Sequence, residues 1–246
     1  HLLVCGHKFE SMICKIERTM VIETHLVKLL GITIESELTF NKHMAIVCKK
    51  ASQKLNALSR LCALIPFHKR KLLMNAFFDS QFFSPLVWMF HSRQVNSKIN
   101  RLQYRALRMV YLDEISSFEE LLTKDGSVTI HHRNLQVLAI EMFKVIKGMA
   151  PTFMNDIFVK NENACAENVS SNTRSKSTFY NPSNPKTVNH GLETLRCLGP
   201  KLWDMIPIHI KDSPSLNVFK TKIKKWIPHG CPCRLCKLYL PQIGFL

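Results

Sequence analysis

Between Leu38 and Leu112 the chain carries 13 Lys and Arg and a single acid, Asp79, a local balance of +12. A second stretch, Lys211 to Lys237, holds seven bases and one acid, Asp212, for +6. Residues 1–37 and 113–210 each stand at −1, and 238–246 are uncharged. The net charge of +16 on 246 residues therefore sits in two blocks within a nearly neutral frame. Folded surfaces ordinarily intersperse both signs. A run this depleted in acids points to a polyanionic partner, either nucleic acid or an acidic membrane surface. The plainer alternative is that charge stripes are solvated helix faces.

Composition narrows the classes. A hydrophobic fraction of 46% excludes a wholly disordered chain. No apolar run approaches the roughly 20 residues needed to cross a bilayer; a membrane-surface helix would want large aromatics on its apolar side, whereas 95–112 has Met, Ile, Leu and Ala there, so no membrane partner is expected. The start, His1-Leu2-Leu3-Val4-Cys5, has neither a basic n-region nor a sustained apolar stretch, so it does not read as a signal peptide. Lacking an initiator Met, it reads as a piece of a longer chain. Nine scattered cysteines, an odd number, argue against a disulfide framework and for a reducing compartment, nucleus or cytoplasm.

Periodicity predicts a mainly α fold, a helical bundle preceded by a short β-hairpin and followed by a small helical unit with a Cys cluster. Val21-Ile22 and Lys28–Ile34 are rich in β-branched residues and read as extended, with Gly31 marking a bulge or a close backbone approach. Asn41 is placed to cap a helix whose apolar side is Met44, Val47, Cys48, Ala51, Leu55, Leu58, Cys62 and Ile65. A second helix follows Pro66, turns Leu72, Leu73, Ala76 and Phe77 inward, and ends before Pro85. The aromatic run Phe82–Phe90 is expected in the core. A third helix, about 95–112, gathers Ile99, Leu102, Ala106, Met109 and Val110. Ser116 or Ser117, each with a Glu three places on, opens a short helix ending near Gly126. A longer helix, about 130–147, stops at Gly148 and Pro151. Residues 160–191 lose periodicity and read as a polar loop or linker. Helices near 192–206 and 214–226 follow.

The candidate nucleic-acid contacts are Lys42, Lys49, Lys50, Arg60, Lys69 and Arg70 on the first two helices. Lys98, Arg101, Arg105 and Arg108, spaced 3, 4, 3, form a stripe on the third. Such a stripe beside a core-facing arc can lie along a duplex and neutralise phosphates without reading bases. At the C-terminal end Cys233-x-x-Cys236 has the spacing of a zinc grip, and His229 and Cys231 lie near enough to complete a tetrahedral set. The alternative is surface thiols of no special role; Cys197 and His209 are candidate distant partners. The chain has no G-x-S-x-G, H-E-x-x-H, P-loop or G-x-G-x-x-G. His131-His132 opens a predicted helix and reads as a capping or surface pair. The six Asp are isolated from one another, and none forms the paired site that two Mg²⁺ ions require. No catalytic residue emerges.

Val27-Lys28-Leu29-Leu30-Gly31-Ile32-Thr33-Ile34 followed by Leu38-Thr39-Phe40-Asn41-Lys42-His43 resembles the segment after the catalytic centre in reverse transcriptases of non-LTR, jockey-like retrotransposons. Pro85–Arg93, Arg105-Ala106-Leu107-Arg108, Gly199-Pro200-Lys201-Leu202-Trp203, Ser215–Lys220 and the terminal Cys-Pro-Cys-Arg-Leu-Cys resemble later segments of the same elements, in the same order. The resemblance implies that 1–40 end a polymerase palm, with Leu30, Gly31 and Ile32 in the primer grip, the hairpin that packs on the primer 3′ end. It implies a helical thumb and connection over 41–159, the linker at 160–191, and a C-terminal helical unit at 192–246. The implied partners are RNA, an RNA–DNA hybrid, a DNA target and the missing N-terminal part of the polymerase. The family's paired aspartates are absent here, so Mg²⁺ would belong to the full-length polymerase alone, and this chain would bind template–primer without catalysing. The competing expectation is a non-enzymatic basic adaptor for acidic proteins or anionic lipids, with a small zinc module.

Overall fold

The computed structural model describes residues 3, 5, 13–16, 19–160, 178, 179 and 194–227. These residues are mainly helical and divide into two compact units, His1–Ser127 and Val128–Leu246.

The first unit opens with two antiparallel hairpins. Strand β1 (Ile13–Ile16) pairs with β2 (Thr19–Ile22), and β3 (Leu26–Leu29) pairs with β4 (Ile32–Glu35). Leu29 lies opposite Ile32, which leaves Leu30-Gly31 as a two-residue loop. Both loop residues have positive φ, +48° and +86°, the backbone of a type I′ turn, whose twist matches that of the strands. Lys28–Ile34 is thus a hairpin rather than one extended segment, and Gly31 supplies the turn. A Cβ on Gly31 would also meet the Phe83 ring at 3.1 Å, so the close backbone approach exists as well.

Helix α1 (Asn41–Ser59) follows directly. Asn41 is its first residue and does not cap it; Glu35 does. The buried Glu35 carboxylate accepts from the Lys42 N–H at 2.9 Å and from the Thr39 hydroxyl at 3.3 Å. A full negative charge at the first turn meets both the orphan donors and the helix dipole. One turn on, buried His43 accepts the Thr33 N–H at Nδ1 (3.3 Å), which assigns its proton to Nε2. Burial, aided by the Lys50 ammonium, lowers the pKa of His43 and keeps the ring neutral. Two polar contacts therefore tie β4 to α1.

After a 3-10 turn at Cys62–Leu64 comes α2 (Phe67–Phe77), then a 3-10 turn at Asp79–Gln81, the single turn α3 (Pro85–Trp88) and the long α4 (Arg93–Tyr111). The predicted inward face of α2 is corrected. Leu72, Ala76 and Phe77 are exposed, whereas Met74 is buried and Phe78, just past the helix, is fully so. Apolar and polar residues interleave around this helix, so its periodicity does not choose a face; packing on α4 does. Of the aromatic run, Phe82, Trp88 and Met89 are core, and Phe83 and Val87 are exposed. Trp88 Nε1 donates to the Phe83 carbonyl at 2.7 Å. Helix α4 is capped by Ser92, and α5 (Phe118–Asp125) by a full Ser117–Glu120 capping box, ending on Gly126 with φ +65°. α1, α2 and α4 pack on one another, and α5 packs on α4.

The second unit is built on α6 (Ile130–Ile146), with the single turns α7 (Met154–Ile157) and α9 (Ile208–Lys211) and the helices α8 (Leu195–Met205) and α10 (Leu216–Lys225). Its core is aromatic. Phe143 stacks on Phe219 at 4.2 Å, Phe219 on Trp203 at 6.1 Å, and Phe179 meets Trp203 edge-on at 5.9 Å. Gly199 explains part of the Gly-Pro-Lys-Leu-Trp run. A Cβ there would run into the Phe158 ring and lie 3.2 Å from the Met142 sulfur, so α8 approaches α6 only without a side chain. Gln136 Nε2 donates to the carbonyls of Lys224 and Trp226, which holds the end of α10 on α6. Most of the predicted linker 160–191 lies outside the described residues.

Candidate nucleic-acid interface

Helix α1 buries His43, Met44, Val47, Cys48, Ala51 and Leu55. The 3.6-residue repeat then forces Lys42, Lys49 and Arg60 onto the opposite, exposed side, with Lys50 at its edge. On α4 the same logic buries Ile99, Leu102, Ala106, Leu107 and Val110 and exposes Lys98, Arg101 and Arg105. The helices pack against each other, and the Lys98 ammonium reaches the surroundings of Cys48. There it opposes the burial that raises the thiol's pKa. Lys69, exposed on α2, joins the set. None of these eight cations forms an ion pair among the described residues.

Other expected members behave differently. Arg108 is half-buried. Its guanidinium lies 5.5 Å from the Tyr104 ring, and Nε donates to the Asp113 carbonyl at 3.4 Å, so it closes the end of its own helix. Arg70 is half-buried too, and its Nε and Nη1 face no acceptor. Lys54 lies over the Phe77 ring at 5.8 Å. Lys71 is held by Asp125 at 2.8 Å.

That last pair belongs to a polar node absent from the sequence reading. Buried Asp125 also accepts from the Tyr111 hydroxyl at 2.9 Å. Burial, followed by that hydrogen bond and the carboxylate charge, pushes the Tyr111 pKa up to about 12. Asp113 accepts from the Ser116 N–H and hydroxyl, from Lys124 Nζ and from the Ile115 N–H, and these donors hold its carboxyl well below the usual range. Asp113 and Asp125 are therefore consumed locally. The signal that could have located the node is the return of acids at 113–125, just after the acid-poor run.

The hairpin tip that the resemblance assigns to a primer grip is distinctive. Leu30 is 90% exposed in a left-handed conformation that costs a non-glycine residue of order 1 kcal/mol. Leu29 is half-exposed beside it, and Ile32 is buried beneath. A strained, exposed leucine at a turn serves neither stability nor solubility.

The second basic block is partly structural. Lys222 Nζ donates to the His209 carbonyl at 2.7 Å, and Lys211 covers the Trp203 ring at 5.7 Å, where burial lowers its pKa. Lys224 and Lys225 are exposed in the last turn of α10, where positive charge suits the helix dipole.

No group of three or more His, Cys, Asp or Glu among the described residues is arranged to hold a metal ion. His229, Cys231, Cys233 and Cys236 lie outside the described residues. Cys197 is buried in the second unit and His209 is exposed on α9. His131 is buried and His132 half-buried at the start of α6, their rings 6.1 Å apart. No helix among the described residues is long and apolar enough to cross a membrane. No family model, curated protein or solved structure matches this chain.

Proposed function

We propose that the chain binds template–primer nucleic acid through the outer faces of α1 and α4, as the thumb-side portion of a reverse transcriptase resembling those of non-LTR retrotransposons. The observation that carries this reading is the set Lys42, Lys49, Lys50, Arg60, Lys69, Lys98, Arg101 and Arg105, exposed and without ion-pair partners among the described residues. Helix-borne cations of this kind contact phosphates and sugars and carry no base code, as suits a protein that must hold any sequence being copied. The strained Leu30 tip supports the primer-grip assignment of Leu30, Gly31 and Ile32. The catalytic aspartates and their Mg²⁺ belong to the part of the polymerase that precedes these residues. The tail is proposed to hold a structural zinc ion on His229, Cys231, Cys233 and Cys236.

The test is a titration of labelled RNA–DNA hybrid, double-stranded DNA and anionic vesicles at 50 mM salt. Saturable binding to the hybrid, little changed by its sequence and stronger than to vesicles, is expected. Absence of hybrid binding, or a preference for vesicles, refutes it. Zinc in the purified chain that disappears on Cys233→Ser with Cys236→Ser supports the metal assignment, and its persistence in that variant refutes it.

A further inference from the structure

On α1, Lys50 stands two helical turns after His43, and Lys54 one turn after Lys50. At the helical repeat all three lie within about 20° of one line along the helix, and His43 and Lys54 are about 16 Å apart on it. Lys42 and Lys49 each precede a member of this line by one residue, so the outer face lies about 100° round the helix. An exposed phenylalanine sits at each end of the line. Phe83 meets the His43 ring edge-on at 6.4 Å and lies against Gly31 in the hairpin turn. Phe77 has the Lys54 ammonium 5.8 Å from its ring centre. Each of the two rings is 43% exposed. Their chain neighbours Phe78 and Phe82 are buried and pack edge to face at 5.2 Å, which anchors the segment that carries the outer pair. Neither α1 nor α2 contains an Asp or Glu.

We infer that this side of α1 holds an unpaired nucleic-acid strand, with bases stacked on Phe83 and Phe77 and the phosphates between them on Lys50 and Lys54. Exposed aromatic faces take any base, and ammonium groups between them take the backbone, so such a track reads no sequence. In a duplex the base faces are stacked on one another and closed to a protein ring; only an unpaired strand offers them. A membrane surface would want its inserting side chains gathered on one apolar side, whereas here Lys50 stands between two separated rings. Asp79, the one acid of the basic run, follows Phe77 by two residues, so the phosphates belong on the Lys50–Lys54 side and a base alone meets Phe77. Lys50 is the only residue shared with the duplex surface, and the track does not require a duplex to be bound there.

The experiment titrates the intact chain by fluorescence anisotropy at 50 mM salt with four probes. They are an oligothymidylate of about ten nucleotides, an abasic strand of the same length and charge, the RNA–DNA hybrid, and phosphatidylserine vesicles. The oligothymidylate should bind saturably and at least about tenfold tighter than the abasic strand. Phe77→Leu with Phe83→Leu should remove that advantage and leave hybrid affinity within about twofold, while Phe77→Tyr with Phe83→Tyr should preserve it. Oligothymidylate binding without hybrid binding would support this site and refute the duplex reading. Equal affinity for the abasic strand would overturn the proposal, because the rings would then hold no base. Equal loss of strand and hybrid binding in the leucine variant would overturn it as well. So would vesicles that displace the oligothymidylate from the parent chain and fail to bind the leucine variant, since the rings would then serve a membrane surface.

Discussion

The outer faces of α1 and α4 and the corner where α4 meets α5 use the same charged residue types in opposite ways. In the corner both aspartates are engaged at close range: Asp125 holds Lys71 and Tyr111, and Asp113 holds Lys124 and the Ser116 turn. On the outer faces, with Lys69 of α2, eight cations stand with no acid at all among the described residues. The corner spends its charge on tertiary structure. The outer faces keep theirs for a counter-charge from outside. Net charge alone conceals this division, because Lys71 and Arg108 count equally with Lys49 and Arg101 until their partners are known.

The contrast makes opposite demands of substitutions on either side. The largest effect is expected on the outer faces. Replacing Lys49, Arg60, Arg101 and Arg105 together by Gln should weaken hybrid binding at 50 mM salt by about a hundredfold or more, with thermal stability unchanged or slightly raised. Equal loss of stability and binding would erase the contrast. In the corner the demands reverse. Asp125→Asn should cost about 1–3 kcal/mol of stability, since it strips Lys71 and the Tyr111 hydroxyl of a buried carboxylate, and leave hybrid binding nearly intact. It should also return the Tyr111 titration from about 12 toward 10, read by ultraviolet absorbance. Leu30→Gly tests the hairpin tip separately. It relieves a left-handed leucine and should stabilise by about 0.5–1 kcal/mol. The primer-grip reading predicts that it weakens binding to a hybrid with a recessed 3′ end more than to a blunt one.

The smallest effect concerns acid. The donors around Asp113 lower its carboxyl pKa in the folded state. Their contribution is therefore fully present above the unfolded value, about 3.9, and is lost as pH falls through the folded one. Asp113→Asn should flatten the acid limb of the stability profile below pH 4 and leave neutral-pH binding alone.

The sequence specified most where the physics is local. The Ser117–Glu120 box, the Gly126 and Gly148 stops, the extent of α6 and the 3.6-residue stripes of α1 and α4 all appear where periodicity and capping chemistry put them. It specified least where a distant partner decides. Glu35, across a loop, took the capping role that Asn41 seemed placed for. Polar and apolar residues interleave around α2, so α4 chose its face. The site divides the same way: Lys98, Arg101 and Arg105 follow from spacing alone. Arg108 departs because Tyr104 and the Asp113 carbonyl capture it, and Arg70 because an apolar cleft surrounds it. Tyr104, one turn before Arg108 on the same helix, is visible in a helical wheel; the Asp113 carbonyl and the apolar surround of Arg70 are not.

The most direct test of the central claim is the salt dependence of hybrid binding between 50 and 300 mM. Eight free cations, with at least half on phosphates, predict a log–log slope of about −4 or steeper, relaxing by about one unit for each of Lys49, Arg60, Arg101 and Arg105 removed. A slope of about −1 or shallower, or one indifferent to those four residues, would contradict the account.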